Sequence, residues 1–183
     1  MGVGGPEGYV ANLAPMMSSA KQDWRTPAVV LERVCRLGPI DLDPCAAANP
    51  RHWFADWNLT PTNLDTWQRD GLGSSWHSLV SSGGVAFVNS PYGREIGTWV
   101  AKCQTEAALG CEIVGLWPAR PDTRWFPWAT ANAICFWRGR LKFESDDGPL
   151  APAPFPSCLP YWGPRATLFR DCFADAGHVV MLR

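Results

Sequence analysis

Gly83-Gly84-Val85-Ala86-Phe87-Val88-Asn89-Ser90-Pro91-Tyr92-Gly93 is the stretch on which the reading of this chain turns. Paired glycines mark a turn, and the four apolar residues after them form the uninterrupted run expected of a strand buried on both faces. The run stops abruptly at Asn89-Ser90-Pro91-Tyr92. Beyond it, Ile96, Trp99, Val100, Cys103 and Ala107 recur at helical spacing between Arg94 and Leu109, and Gly110 supplies the stop. A buried strand, a polar turn and an amphipathic helix in that order are the parts of an α/β unit.

Working outward, the same alternation continues on both sides. Upstream, Thr26 is placed to cap a helix whose first-turn residue is Pro27, with Val30, Leu31, Val34 and Leu37 on one face and Gly38 as its end. Pro39 to Asp43 reads as a short strand ending in Asp43-Pro44, and His52 to Asn58 as a weaker strand. Asp70-Gly71-Leu72 is a turn signal. Downstream, Ile113 to Trp117 is a second buried-type strand broken by Pro118, and Asp122 or Thr123 can cap a short helix through Trp125. Ala133–Trp137 and Leu141–Phe143, joined by Arg138-Gly139-Arg140, read as a hairpin. Ser157–Trp162 is a strand, Thr167–Ala176 a helix and His178–Leu182 a closing strand, while Pro149 to Pro156 has the composition of a surface loop. The expectation is an α/β fold with parallel central strands and helices on both faces. Residues 1–20 read as a flexible leader and residues 21–183 as one domain.

Composition narrows the class. At 183 residues, 46% apolar and 18% charged, the chain is long enough for one substantial core and too apolar to be disordered. No run of apolar residues is long enough to span a membrane, and no secretory signal is expected. The seven cysteines include no C-x-x-C pair and the three histidines are scattered, so neither a metal site nor a disulfide framework is expected. Free thiols in a reducing cytoplasm are the plain reading.

Net charge is −1, which argues against nucleic-acid binding by bulk electrostatics but conceals an asymmetry. Through Glu112 there are 8 basic and 11 acidic residues; after it, 8 basic and 6 acidic. Arg120, Arg124, Arg138, Arg140 and Lys142 face one acid, Asp122, and are interleaved with Trp117, Trp125, Trp128 and Trp137. Guanidinium groups among aromatics suit phosphate contact and base stacking. A solvated face beside core aromatics is an equally good reading of that composition. Of the 11 tryptophans, most are expected in the core or in a pocket wall, and Trp128 and Trp137 have the best claim to touch nucleic acid.

In open α/β sheets, ligands bind beyond the carboxyl ends of the strands, where the strand order reverses. Asp41-Leu42-Asp43-Pro44-Cys45-Ala46 and Asn89-Ser90-Pro91-Tyr92 both put a side-chain acceptor and a proline after a buried strand. Asn89-Ser90-Pro91-Tyr92 resembles the (Asp/Asn/Ser)-Pro-Pro-Tyr motif of methyltransferases that act on exocyclic amino groups. The chemistry agrees. An aromatic amine is a poor nucleophile because its lone pair is delocalised. The Asn89 amide oxygen and the Ser90 backbone carbonyl can each accept one of its N–H bonds, aligning the nitrogen with a methyl donor and favouring the developing positive charge. Pro91 stiffens the turn, and Tyr92 can stack on the base. The plain alternative is a turn after a strand, because Asn, Ser and Pro are ordinary turn formers.

The order of the pieces is more specific than any one of them. Trp24-Arg25-Thr26-Pro27, Leu42-Asp43-Pro44-Cys45-Ala46, Asp70-Gly71-Leu72 with Trp76, and Phe87 to Gly93 are followed by Trp99 with Lys102. Then come Leu116 to Thr123 with Trp125-Phe126, Gly139-Arg140-Leu141-Lys142-Phe143, and Pro154-Phe155-Pro156-Ser157. In this order the chain resembles the phage-type DNA N6-adenine methyltransferase family, from Trp24 to Trp162. That resemblance implies a Rossmann-like class I methyltransferase with a mostly parallel seven-stranded sheet, S-adenosylmethionine as donor, and double-stranded DNA as partner. It also implies a flipped-out adenine, no metal, and a phage or prophage origin with action in the bacterial cytoplasm.

By the same resemblance, Asn89, Ser90, Pro91 and Tyr92 are the catalytic residues. Asp43, Pro44, Cys45 and Ala46 wall the methionine end of the cofactor site, with Asp41 just inside. Trp24, Thr26 and Pro27 cover the cofactor, and Asp70 and Leu72 meet its adenine. Arg120, Arg124, Arg138, Arg140 and Lys142 form the DNA-facing surface, with a weak contribution to target recognition from Ser145 to Pro154. Two features depart from the family pattern: Cys45-Ala46-Ala47-Ala48 stands where a glycine-rich G-x-G is usual, and Ser90 replaces the first proline. The same motif type also serves cytosine N4, RNA adenine and the side-chain amide of protein glutamine. A silent nucleic-acid-binding module on this fold is the reading from another class.

Overall fold

A computed structural model of the chain describes residues 25–47, 54–62, 65, 70–145, 148–149 and 152–182. The leader expected at 1–20, and Trp24 with it, lie outside the described residues. The first helix, α1 (Ala28–Leu37), has Pro27 as its N-cap, and Val30, Val34 and Leu37 are its buried face. Thr26 does not cap it. Its hydroxyl is engaged elsewhere, and the helix start carries no side-chain cap hydrogen bond. Strand β1 (Ile40–Asp43) is followed by the two-residue β2 (Trp57–Asn58); of the strand expected over 52–58, residues 54–56 are irregular chain and bends and not strand.

The decisive run forms β3 (Val85–Val88), buried throughout, and leads into helix α2 (Ile96–Ala108). Gly110, at φ 95°, takes the left-handed conformation that turns the chain away after α2. The strand expected over 113–117 is divided into β4 (Ile113–Gly115) and β5 (Trp117–Pro118). Then come β6 (Ala133–Trp137), the paired β7 (Glu144–Ser145) and β8 (Gly148–Pro149), β9 (Ser157–Trp162), α3 (Ala166–Phe173) and β10 (Gly177–Met181).

The main sheet runs β10-β6-β9-β4-β3-β1-β2, with β5 pairing on β9 as a short eighth strand. Parallel ladders join β2 to β1, β1 to β3 and β3 to β4. Every ladder beyond β4 is antiparallel. The sheet is therefore mixed, not mostly parallel. The reason lies in β9, which enters between β4 and β6 in the opposite direction. Although β6 points the same way as β1, β3 and β4, both of its neighbours oppose it. The hairpin expected between 133–137 and 141–143 does not form, because β9 and β10 already hold both edges of β6. The short helix expected after Asp122 is a series of turns, closed by the Thr123 amide and hydroxyl donating to the Arg120 carbonyl. The expected surface loop over 149–156 begins in a β8 pairing and contains the buried Ala153.

Helices cover both faces, as the alternation along β3 requires. Val85 and Phe87 pack with α1 and α3, through Val30, Val34, Phe169 and Phe173. Ala86 and Val88 pack with Ile96, Trp99, Val100 and Cys103 of α2 on the other side. The edge of the sheet away from the Asn89 end is locked by Arg165. It pairs with Glu112 at 2.8 Å and donates to the carbonyls of Leu37 and Gly83 at 2.7 and 2.9 Å. Among the described residues, no helix is long and apolar enough to cross a membrane, and no group of three His, Cys, Asp or Glu residues could hold a metal ion.

Candidate active site

The chain passes outward from β1 to β2 and then returns to the other side of β1 as β3, so the strand order reverses between β1 and β3. Their parallel ladder brings Asp43 and Asn89, the residues at the two carboxyl ends, to one edge. One described strand, β2, is set aside between the two ends. β4 and β5 end at the same edge with Pro118. Because β9 runs the opposite way, its first residue, Ser157, lies there too, opposite Pro118. β6 delivers Trp137 and the following Arg138 to the same edge.

Asn89 is half-buried and gripped on both sides. Its Nδ2 donates to Thr26 Oγ1 at 3.1 Å, and its Oδ1 accepts from the Tyr92 hydroxyl at 2.8 Å. The Tyr92 ring sits edge-on to Phe143 and Phe155, at centroid distances of 6.2 and 5.5 Å. Burial pushes the Tyr92 phenol well above its ordinary range, so it stays protonated and remains a donor. A carbonyl oxygen has two lone pairs, so Asn89 Oδ1 can still accept from a substrate N–H while Tyr92 holds it. Ser90 is buried and its Oγ accepts the Trp117 indole N–H at 2.8 Å. Among the described residues no hydrogen bond occupies the Ser90 backbone carbonyl.

Beside this loop, Asp43 is buried with 7% exposure and its Oδ1 accepts the Cys45 N–H at 2.9 Å. Burial raises its carboxyl from 3.8 to about 7, and the Cys45 amide offsets only part of that. Asp43 can therefore change charge near neutrality. Pro44 and Ala46 are buried and Cys45 half-buried, making a small, largely apolar wall next to the carboxylate. The Cys45 thiol is pushed far up by burial and by the Asp43 charge, and is inert at neutral pH.

Asp70, Gly71 and Leu72 come to this wall from a distant part of the sequence. A Cβ at Gly71 would lie 1.9 Å from the Pro44 carbonyl oxygen, so the glycine backbone rests directly on the Asp43-Pro44 turn. Asp70 is exposed, with Oδ1 accepting the Leu72 N–H at 2.9 Å in an Asx turn. Glu106 on α2 pins this segment: its buried carboxylate accepts the backbone N–H groups of Trp76 and His77, both at 3.0 Å, and pairs with Lys102 at 2.7 Å. The Trp76 indole completes the brace by donating to the Gly71 carbonyl at 2.7 Å.

Most of the residues expected at the site thus converge: Thr26, Asp43 to Ala46, Asp70, Leu72 and Asn89 to Tyr92. Pro27 is adjacent, buried at the start of α1. Asp41 does not join them. Its Oδ2 accepts the amide and hydroxyl of Ser81, each at 2.6 Å, in the segment leading into β3 and facing the opposite edge. A register shift between Ile40 and Leu42 interrupts the alternation along β1, and the Ser81–Gly84 turn captures the Asp41 carboxylate while that of Asp43 is left at the open end.

The five basic residues are all exposed but do not form one patch. Arg120 follows β5, Arg138 and Arg140 follow β6, and Lys142 is flanked by the buried Leu141 and the Phe143 that touches Tyr92. These four lie toward the site edge. Arg124 lies apart, lining a shallow groove of about 300 Å³ against Gly97, Val100, Ala101 and Gln104 of α2. Trp128 is 41% exposed, with its indole held by the Pro121 carbonyl at 3.1 Å. Trp137 is half-buried beneath the Arg33 guanidinium, 5.9 Å from the ring centroid.

The family model for DNA N-6-adenine-methyltransferase (Dam) matches residues 14–151, a span containing every strand end described above except that of β9. The chain belongs to the Dam family. A comparison with curated proteins found no match. In this Dam-family chain, Asn89 to Tyr92 and Asp43 to Ala46 occupy the strand-order reversal, where α/β sheets bind their ligands. Family membership makes DNA the substrate class and adenine methylation the activity. Phe143, Phe155, Trp117 and Glu106 support the site without having been assigned roles from sequence. The first three stand in family-like segments, but only their packing shows what they hold.

Proposed function

We propose that this Dam-family protein transfers a methyl group from S-adenosylmethionine to N6 of an adenine flipped out of duplex DNA, on a Rossmann-like methyltransferase sheet. The observation that carries the reading is the pair of acceptors at the end of β3, Asn89 Oδ1 and the Ser90 carbonyl, beside the Asp43 end of β1. Two acceptors match the two N–H bonds of an exocyclic amine. Holding both leaves the nitrogen lone pair free to attack and favours positive charge as it develops. Thr26 and Tyr92 preset the amide, so little reorganisation remains for the reacting complex.

The donor set fits the cofactor. The Asp43 carboxylate is suited to an ammonium group, the Asp70 carboxylate to the amine of an adenine ring, and Cys45, Ala46 and Leu72 to apolar surface between them. Bound there, S-adenosylmethionine would supply an electrophilic methyl on a sulfonium centre, which needs neither a metal nor a protein nucleophile. Arg120, Arg138, Arg140 and Lys142 would meet the DNA backbone around the flipped base.

The test is transfer from labelled S-adenosylmethionine to unmethylated DNA, RNA and protein extract, followed by digestion and identification of the product. N6-methyladenine in DNA is expected, and Asn89→Ala should lower it at least a thousandfold while cofactor affinity stays within about twofold. N4-methylcytosine, or label only in RNA or protein, would replace the proposed acceptor. DNA binding with no transfer at all would favour a silent module.

A further inference from the structure

We propose that Trp117 is a positioning residue for the Asn89–Tyr92 loop, acting through the Ser90 hydroxyl that stands in place of the motif's first proline. This rests on the function proposed above. A proline at that position would fix its own φ. Serine does not, although Pro91 still confines it to extended conformations. The structure supplies the missing restraint from outside the loop.

The Trp117 indole is itself immobilised. It is fully buried and edge-on to Trp162, with centroids 6.0 Å apart and planes at 73°. Gly115 admits the ring: a Cβ there would come within 2.4 Å of the Trp117 benzene carbons. The backbone pairing of Trp117 with Cys158 holds the residue to β9. An indole has one N–H and no acceptor, and in Trp117 that donor is aimed at Ser90 Oγ, 2.8 Å away. Ser90 is 2% exposed, so water does not compete for the bond. A rigid donor on a buried hydroxyl restrains the Ser90 side chain and, through it, the direction of the Ser90 carbonyl. That carbonyl is one of the two acceptors for the target amine, so the restraint is felt in turnover more than in binding.

Three variants test it: Trp117→Phe, which keeps an aromatic ring but no N–H; Ser90→Ala, which removes the acceptor; and the two combined. Each single variant should lower kcat about tenfold, with KM for cofactor and DNA within twofold. The double variant should fall no lower than the worse single, because the two changes remove one shared bond. Wild-type kcat in Trp117→Phe, or a roughly hundredfold additive loss in the double variant, would overturn the proposal. Amide hydrogen exchange at Tyr92 and Gly93, measured without ligands, should rise about tenfold in each single variant. Unchanged exchange in both would overturn it whatever the turnover. Ser90→Ala is the smaller change and decides the exchange result if Trp117→Phe does not fold. Should the wild-type protein methylate no adenine, the functional reading fails separately, and exchange alone judges the tie between Trp117 and Ser90.

Discussion

Asn89 Nδ2 donates to Thr26 Oγ1 across 3.1 Å, joining the residue before the N-cap of α1 to the carboxyl end of β3, 63 positions along the chain. The bond takes a threonine suited to capping a helix and uses it to orient an amide. With Nδ2 held by Thr26, Oδ1 is turned toward Tyr92 and the open end of the sheet.

Thr26→Val removes the hydroxyl at nearly constant volume. It should lower kcat about tenfold, equivalent to roughly 1.4 kcal/mol of transition-state stabilisation. Cofactor affinity and melting temperature should scarcely change, and Thr26→Ser should retain most of the activity. Steady-state kinetics with calorimetric cofactor titration separates the cases. A weakened cofactor Kd at unchanged kcat would mean that Thr26 acts on the cofactor instead.

Asp43 should make both stability and cofactor affinity depend on pH. Burial raises its carboxyl in the fold from 3.8 to about 7. The protonated form is therefore favoured in the native state. Its stabilising effect is complete below about pH 4 and is lost as pH rises through 7, an effect on the order of 4 kcal/mol. Asp43→Asn should remove that slope and raise the melting temperature at pH 8 relative to the unsubstituted protein. A cationic ligand group prefers the carboxylate, so cofactor affinity should tighten from pH 6 to pH 8 and become flat in the asparagine variant. Thermal melts and titrations across that range would show both.

Glu106 titrates in the opposite sense. Burial alone would raise its carboxyl, but Lys102 and the His77 and Trp76 amides outweigh burial and hold it below the usual carboxylate range. Its contribution is present above the unfolded value of 4.5 and disappears as pH falls through the lower native one. Glu106→Ala strands two backbone N–H groups and Lys102. It should cost about 3 kcal/mol, or roughly 10 °C in melting temperature for a chain of this size. Cofactor affinity should also fall, because the segment carrying Asp70 loses its brace.

The basic residues should divide by position. Charge reversal at Arg138 with Arg140, or at Lys142, should weaken DNA binding and reduce its salt dependence, by a slope of about 0.9 for each phosphate no longer neutralised. The same reversal at Arg124, out on the α2 face, should have much less effect. Binding isotherms at several salt concentrations would test this. Equal effects at all sites would put the DNA over α2 as well.

The elements were largely legible in the sequence because each depends on a local pattern. Val85 to Val88 could only be buried on both faces, and the apolar spacing in α1 and α2 allowed one helix face each. Asn89-Ser90-Pro91-Tyr92 and Asp43-Pro44 were visible for the same reason, as acceptors and prolines where strands stop. Strand direction beyond β4 was not legible. Nothing within 133–143 or 157–162 says that β9 will insert between β4 and β6, so the sheet became mixed and the expected hairpin disappeared.

Side-chain partners were hidden for a related reason. Thr26 and Asn89, Trp117 and Ser90, and Glu106 with Trp76 each join residues far apart along the chain, and a hydrogen bond carries no signature in either residue alone. Asp41 and Asp43 look alike in sequence, and only the approach of Ser81 decides which carboxylate is left at the open end. By itself the sequence determined which chemical groups this protein holds at the ends of its buried strands, because periodicity and turn chemistry are local. Which of them face one another, and which are withdrawn, was decided only by the tertiary structure, where long-range packing sets distance and burial.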